Sequence, residues 1–295
     1  MFEFAGMAWY DSKNERWEDM YAKVYVEITN LCNKNCSFCH GTSRAPLRMS
    51  FETFQYILDQ LQGVTEYVYF HLMGEPLTHP LLLSFIRHAV QQGYKPIITT
   101  NGTLLSERGE ELIDAGVYKV NVSVHSFEEG SRESYLAYIG GCLDFVDRAS
   151  AAGVLTVLRL WNNGYDAGRN IDTQDLIRER FGDQWQHTRR GIKIREKLYL
   201  EHGERFEWPD LAAVDYGERG FCYGLKDQFG ILCDGTVVPC CLDSDGVLAL
   251  GNLMETPLET ILTSPRAVAI REGFAKRRAV ESLCQRCGYA QRFQK

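Results

Sequence analysis

The first two hundred residues alternate between strand-like and helix-like hydrophobic patterns. Short runs rich in β-branched and aromatic residues, typical of strands, cover residues 22–29, 66–72, 96–100, 117–124, 154–160 and 192–199. Segments with helical character separate them and cover residues 50–62, 79–92, 104–115, 132–152 and 173–180. Because strands separated by helices form parallel βαβ units, this pattern predicts an α/β fold, a partial (β/α)6 barrel of TIM type.

The remainder of the chain follows a different pattern. Residues 229–233 and 236–239 flank Asp234-Gly235, which is a strong hairpin signal, and two short helical segments follow at 257–262 and 265–275. We therefore expect a barrel domain at residues 1–204 and a small C-terminal domain at residues 205–295. The sequence has no run of about 18 apolar residues and no apolar N-terminal segment, so we expect a cytoplasmic protein.

Composition and charge narrow the possible partners. Of 295 residues 45% are hydrophobic and 24% charged, which is typical of an ordinary globular protein. The formal charge of −7 argues against a protein that coats a nucleic-acid polymer. It leaves a nucleoside or nucleotide open as a small-molecule substrate.

The ten cysteines are the unusual feature of this composition. In a reducing compartment they are not expected to form disulfides, and their uneven spacing indicates two metal centres. Cys142 stands alone and is expected to be a small buried residue. The first group, Cys32, Cys36 and Cys39, follows the first predicted strand. Its three thiolates can hold three irons of a cubane cluster and leave the fourth iron open to a ligand that bears an amine and a carboxylate.

A structural zinc site is the alternative for this first group. Zinc requires four closed ligands, and His40 is poorly placed to supply the fourth because it is adjacent to Cys39. Further polar residues lie at or just after the carboxyl ends of successive predicted strands, where barrels form their active sites. They are Glu75, Asn101, Ser123, His125 and Arg159. Taken singly, each of them is equally explained as a turn residue, a core residue or a surface ion pair.

The motifs in these positions resemble those of the radical S-adenosylmethionine (SAM) superfamily. The C-x₃-C-x₂-C pattern has Phe38 before its third cysteine, and Met73-Gly74-Glu75-Pro76 is similar to the family's GGEP motif with Met in place of the first Gly. The resemblance implies a SAM-binding [4Fe–4S] cluster on the three cysteines. It also implies SAM contacts at Phe38, Gly74 and Glu75, together with ribose and carboxylate contacts from the loops and strand ends that hold Asn101, Ser123, His125 and Arg159.

The second cysteine group resembles the C-terminal extension called SPASM in its full form and Twitch in its short form. Gly235-x₄-Cys240 and Gly251-Asn252-Leu253 carry this resemblance, together with Cys222 and the pair Cys284-x₂-Cys287. The number of cysteines favours the short form, with one auxiliary [4Fe–4S] cluster on Cys222, Cys240, Cys284 and Cys287. Cys241 is a possible substitute for Cys240, and Cys233 is a weaker one. A Cys₄ zinc ribbon is the alternative for this group.

The resemblance implies that the reduced cluster and SAM generate a 5′-deoxyadenosyl radical, which abstracts hydrogen from a substrate. A flavodoxin- or ferredoxin-type protein would supply the electron. The sequence has no room for a leader-recognition domain before Val24, which favours a polar small molecule such as a nucleoside, nucleotide, sugar or aminocyclitol, with oxidation or bond-cleaving lyase chemistry. The alternatives are a maturase of ribosomal peptides and a non-catalytic electron-transfer protein.

Two residues are predicted to face the substrate. Arg189-Arg190-Gly191 resembles a segment of aminocyclitol dehydrogenases that holds a substrate-side arginine, so Arg190 is assigned that role. His125 is the second, because it lies in a predicted loop at the mouth of the barrel. The alternative for the basic residues near 190 is a solvated strand edge.

Overall fold

The structure is a computed structural model that describes residues 10–11, 16–17, 20–128, 130–166, 168–188 and 191–293. Its strands are β1 (Tyr10–Asp11), β2 (Arg16–Trp17), β3 (Lys23–Val26), β4 (Tyr67–Tyr69), β5 (Lys95–Thr100), β6 (Lys119–Ser123), β7 (Leu155–Leu160), β8 (Gln186–Thr188), β9 (Gly191–Arg195), β10 (Leu198–His202), β11 (Gln228–Ile231), β12 (Thr236–Val238) and β13 (Gly251–Asn252). Its helices are α1 (Phe51–Gln60), α2 (Leu82–Gln91), α3 (Leu105–Asp114), α4 (Arg132–Ala151), α5 (Arg169–Phe181), α6 (Leu258–Leu262), α7 (Pro265–Ala275) and α8 (Ser282–Gln285).

The chain divides into two compact units. Unit 1 comprises residues 1–31, 40–74 and 206–295, and unit 2 comprises residues 32–39 and 75–205. The loop that carries the first three cysteines, residues 32–39, therefore belongs to unit 2, whereas the later cysteines from Cys222 onward belong to unit 1.

Unit 2 is built on a mixed sheet with four parallel strands. Its order is β5-β6-β7-β10, followed by the antiparallel strands β9 and β8. In this register Ser123, Arg159 and Glu201 are neighbours at the carboxyl ends of β6, β7 and β10. Residues paired in register on neighbouring strands point to the same face of a sheet, so these three side chains share one face.

Unit 1 contains the strands β3 and β4 and the C-terminal hairpin. β3 pairs in parallel with β4 on one side and with β11 on the other, and β11, β12 and β13 continue as an antiparallel ribbon. Tyr21 packs edge-on against Phe229 at 4.9 Å, and Phe54 packs edge-on against Phe70 at 5.2 Å. The hairpin predicted around Asp234-Gly235 is confirmed.

The α/β fold with parallel strands is confirmed, but the sixth predicted strand is wrong in its extent. Residues 192–199 do not form one strand, because they turn between β9 and β10, and the parallel partner of β7 is β10. Lys197, in this turn, adopts a left-handed backbone conformation with φ 62°. Glycine or asparagine normally occupies such positions, so a lysine there does not indicate a turn in the sequence. None of the helices in the described part of the chain combines the length and the hydrophobicity that a membrane span requires.

Candidate functional site

The loop that carries the first three cysteines presents its thiols outward. Cys32 and Cys39 are exposed and Cys36 is half-buried, and the amide of Cys39 donates to the carbonyl of Cys36 at 3.1 Å. Accessible thiols on a tight turn suit a site that must take up a cluster and still admit a co-substrate.

The loop after β5 holds the start of this cysteine loop. The Asn101 side-chain amide donates to Asn33 Oδ1 at 2.8 Å and lies 3.9 Å from Cys32 Sγ. Asn33 in turn donates to Thr103 Oγ1 at 2.9 Å. Asn101, predicted as a SAM contact, is thus next to the first cysteine.

Glu75 lies buried beside the same loop, with 2% of its surface exposed. Its Oε2 accepts the Asn101 amide at 2.6 Å, and its Oε1 accepts the Leu77 amide at 3.0 Å. Burial raises the pKa of this carboxyl to about 7, although both amides act to lower it. The carboxylate therefore joins two loops, the one that follows β4 and the one that follows β5. A contact with the SAM amino group stays a prediction.

Gly74, the residue before it, is required by its backbone. Its φ is +75°, and a Cβ at this position would overlap the Thr29 carbonyl oxygen and lie 2.9 Å from that of Leu31. Both carbonyls precede the cysteine loop, so only glycine permits this close approach within unit 1.

The segment after β6 contacts the middle of the cysteine loop. The Ser126 hydroxyl donates to the Asn101 carbonyl at 3.0 Å, and Cys36 Sγ lies 3.7 Å from the Ser126 carbonyl oxygen. The His125 ring packs against Phe38, with centroids 4.8 Å apart. Phe38 and His125, two predicted site residues far apart in the sequence, are thus in contact.

Burial lowers the pKa of His125 to about 4, so its imidazole is neutral near pH 7. Its Nδ1 lies 3.0 Å from the Arg159 carbonyl oxygen, which accepts hydrogen bonds only, so we assign the ring proton to Nδ1. A neutral ring held in this way supplies an apolar face to Phe38 and leaves Nε2 as the acceptor.

Arg159 and Glu201 form an ion pair at the ends of β7 and β10. Arg159 Nε lies 3.2 Å from Glu201 Oε2, and its guanidinium lies 4.8 Å from the centre of the Trp161 ring. Both charged side chains are mostly buried, with 17% and 23% exposed. Ser123 is the register neighbour of Arg159, so these predicted SAM residues lie side by side.

Sequence reasoning missed two charged residues of this region, Glu128 and Arg205. Glu128 accepts the Ser37 amide at 2.5 Å and also pairs with Arg205 at 3.1 Å. Both lie just beyond strand ends, after β6 and after β10, and that position was the available signal. Arg190, the predicted substrate-side arginine, lies outside the described residues. Arg195, five positions later in the sequence, forms an ion pair with Asp147 at 2.5 Å.

The second cysteine group is gathered from three segments of unit 1. Cys287 is 8% exposed and the others are half-buried. Burial raises the pKa of the Cys240 thiol, and four neighbouring thiols raise it further. These neighbours are Cys222, Cys241, Cys284 and Cys287. The Gly224 amide donates to Cys222 Sγ at 3.4 Å, the kind of hydrogen bond that tunes a cluster ligand.

Cys241 and Cys233 differ from the other members of this region. Cys241 packs against an apolar cluster of Tyr25, Leu72, Leu232 and Val238, next to Tyr69. Cys233 is buried, its pKa is raised chiefly by burial, and its amide donates to Glu27 Oε2 at 3.2 Å. Cys142 is fully buried in α4.

The donor sets fit iron–sulfur clusters by their chemistry. Both groups consist of cysteine thiols, which are the ligands of [4Fe–4S] clusters, and the first group offers three of them on one loop. Among the described residues, no group of three His, Cys, Asp or Glu side chains forms a single-ion site.

Comparison with known proteins gives the family. A model described as the radical SAM superfamily matches residues 26–176, and a SPASM model described as an iron–sulfur cluster-binding domain matches residues 222–288. The AdoMet-dependent heme synthase of Methanosarcina barkeri is 28% identical over 113 residues, which cover 37% of this chain and only 32% of that relative. A probable GTP 3′,8-cyclase of Methanocella arvoryzae is 25% identical in an alignment of 304 positions, gaps included, which covers 90% of this chain and 94% of that protein.

Solved structures show the same fold. BtrN in complex with AdoMet and 2-DOIA has a TM-score of 0.60 at 17% identity, covering 91% of this chain and 93% of BtrN. The anSMEcpe structure with bound AdoMet has a TM-score of 0.56 at 14% identity, covering 90% of this chain and 85% of that one. The superfamily model covers more than half of the chain, which therefore belongs to the radical SAM superfamily; its radical SAM domain binds a [4Fe–4S] cluster and SAM, and its SPASM domain binds auxiliary iron–sulfur clusters.

Proposed function

We propose that this protein is a radical SAM enzyme that abstracts a hydrogen atom from a polar small molecule and thereby starts an oxidation or a bond cleavage. The observation that carries the proposal is the set of contacts in unit 2, where the exposed cysteine loop touches the ends of β5 and β6. Asn101 lies against Cys32, and Ser126 lies against Cys36. These contacts join the family's cluster motif to the residues expected to bind SAM.

In this proposal Cys32, Cys36 and Cys39 hold the SAM-binding cluster, and Cys222, Cys240, Cys284 and Cys287 hold one auxiliary cluster. Phe38, Gly74, Glu75, Asn101, Ser123 and Arg159 are the SAM-binding residues. When bound, the cluster and SAM would supply a 5′-deoxyadenosyl radical, with the electron coming from a flavodoxin- or ferredoxin-type protein. The chain itself orients both partners and excludes water.

The polar character of the strand ends supports the proposed substrate class. Glu201 lies in register with Arg159, and 23% of its side chain is exposed, so its carboxylate can accept hydrogen bonds from hydroxyl groups of a substrate. Trp161 beside them offers a flat surface for a base or a sugar. Two relatives that match this chain over nearly their whole length carry small molecules in their names, a GTP cyclase and BtrN with 2-DOIA.

The test is hydrogen transfer from candidate substrates. The anaerobically reconstituted protein should contain about eight irons, as expected for two cubanes. With SAM and reductant it should form 5′-deoxyadenosine, and a perdeuterated nucleotide, sugar or aminocyclitol substrate should pass deuterium into that product. A Cys36→Ala variant is the matched control. SAM binding without any cleavage would contradict the proposal and favour an electron-transfer protein.

A peptide substrate is the second candidate. The PqqA peptide cyclase of Bradyrhizobium diazoefficiens is 29% identical over 119 residues, covering 39% of this chain. The anSMEcpe fold, with a TM-score of 0.56, has also been solved with a bound peptide. Deuterium transfer from a labelled precursor peptide, with none from the small molecules, would establish this alternative.

A further inference from the structure

Ser37, between the second and third cysteines of the cluster loop, is held by a carboxylate. Its amide donates to Glu128 Oε2 at 2.5 Å, and its hydroxyl donates to Glu128 Oε1. Arg205 reaches the same group, with Nη2 donating to Glu128 Oε1 at 3.1 Å and Nη1 lying 3.4 Å from Ser37 Oγ. One negative and one positive charge therefore meet at the residue that follows Cys36.

Both charges are fixed by further contacts within unit 2. Arg169 Nη1 donates to the carbonyls of Phe127 and Glu128 at 2.9 and 2.6 Å, which holds the backbone of the Glu128 loop. The Arg205 guanidinium lies 5.4 Å from the Phe38 ring centre and 4.8 Å from that of Tyr165. An arginine between two rings cannot move without losing both contacts.

The pair is also partly withdrawn from water. Only 22% of the Glu128 side chain and 25% of the Arg205 side chain are exposed. Burial acts to raise the pKa of Glu128, but the Ser37 donors and the Arg205 cation outweigh it and hold that pKa below its usual value. Glu128 is thus ionised at neutral pH, and charges in such surroundings act more strongly on neighbours than they do in water.

We propose that Glu128 and Arg205 form a charge-balanced positioning pair that fixes the cluster loop through Ser37 and protects the reduction potential of the cluster held by Cys32, Cys36 and Cys39 from the shift that either charge alone would cause. Reduction adds an electron to the cluster. A nearby anion opposes that step and a nearby cation favours it, and surrounding charge is among the factors that set cluster potentials. In the intact pair the two effects largely cancel. Removal of either partner leaves the other charge uncompensated.

The two single variants are therefore expected to shift the potential in opposite directions. Glu128→Gln leaves Arg205 unbalanced and shifts the potential to a less negative value, whereas Arg205→Gln leaves Glu128 unbalanced and shifts it to a more negative one. The double variant should lie between them. The measurement is a redox titration of the anaerobic holoprotein, followed by the electron paramagnetic resonance signal that changes when SAM is added, which separates this cluster from the auxiliary one.

A matched pair elsewhere in unit 2 provides the control. Arg178 and Asp175 form an exposed pair at 2.8 Å on α5, and Arg178 also lies over a ring, that of Trp185, at 4.7 Å. Asp175→Asn and Arg178→Gln should leave the potential unchanged. Arg205→Lys keeps the charge and should return the potential close to that of the natural protein, which a merely structural role of the guanidinium would not explain.

The positioning part has its own readout without any cluster. In the apoprotein, hydrogen exchange of the Ser37 amide should become faster in Glu128→Gln and stay unchanged in Asp175→Asn. Shifts of the same sign in Glu128→Gln and Arg205→Gln, or no shift in either, would overturn the proposal. It rests on the proposed ligand role of the three cysteines and not on the substrate, so a failure to find deuterium transfer leaves this test intact.

Discussion

The two cysteine groups of this protein are built in opposite ways. The first consists of three residues within eight positions, on one loop whose cysteines are exposed or half-buried. Asn101 holds this loop through the Asn33 side chain, and Glu128 holds it through the Ser37 backbone amide. The second gathers cysteines from three segments that are far apart in the sequence, and they are buried or half-buried. The first arrangement leaves a cluster accessible to a co-substrate. In the second, we expect a cluster to cross-link distant parts of unit 1, so that metal binding is coupled to folding.

The largest expected effect separates activity from stability. Cys36→Ala should abolish SAM cleavage, because a cluster with two remaining thiolates is not retained as an electron donor to SAM. The thermal midpoint should hardly change, since the loop is also held by polar contacts such as that between Asn101 and Asn33. The measurements are 5′-deoxyadenosine formation and calorimetry. If the thermal midpoint of Cys36→Ala fell as far as that of Cys284→Ala, described below, the two cysteine groups would not differ in their structural role.

Cys284→Ala tests the other side of the comparison. Loss of a ligand should release the auxiliary cluster and with it the cross-link between three segments of unit 1. If that link is worth about 3 kcal/mol, the thermal midpoint falls by roughly 6–12 °C at about 2–4 °C per kcal/mol. Calorimetry of the anaerobic holoprotein measures it, with Cys142→Ala as a buried cysteine outside both groups. An unchanged midpoint would mean that the auxiliary cluster plays no structural role.

Glu27 sharpens the comparison because it stabilises unit 1 without a metal. Its carboxylate is fully buried and accepts from Arg44 at 2.7 Å and from the amides of Met73 and Cys233, both at 3.2 Å. Glu27→Gln leaves the Arg44 charge unpaired, which costs about 3 kcal/mol, the lower end for a buried pair because Arg44 reaches solvent.

Chemical denaturation of the apoprotein measures this loss. Arg178→Gln, which breaks an exposed ion pair, should cost less than about 1 kcal/mol and serves as the control. Equal losses of unfolding free energy in the two variants would mean that the buried Glu27 carboxylate stabilises unit 1 no more than an exposed ion pair does.

The sequence predicted what is local and missed what joins distant residues. The cysteine loop, Glu75 and the strand ends are readable because they form short motifs or follow a repeating pattern. Ser37 and Glu128 lie 91 positions apart, and Arg205 is 168 positions from Ser37, so no periodicity connects them. The turn between β9 and β10 could not be predicted either, since Lys197 adopts a left-handed conformation that glycine usually adopts.

The adjacent residues Cys240 and Cys241 differ by a single position in the sequence, and substitution of each in turn distinguishes the ligand of the auxiliary cluster from its neighbour. The sequence alone left both open as ligands. In the structure both are neighbours of the other thiols, but Cys241 also packs against the apolar cluster that contains Tyr25 and Leu72. Cys240→Ser should therefore reduce the iron content by up to about four atoms, one cubane, and Cys241→Ser should leave it unchanged. Iron and sulfide analysis after anaerobic reconstitution measures both. The reverse outcome would exchange their roles and would mean that the Cys241 thiol turns away from its apolar neighbours when the cluster assembles.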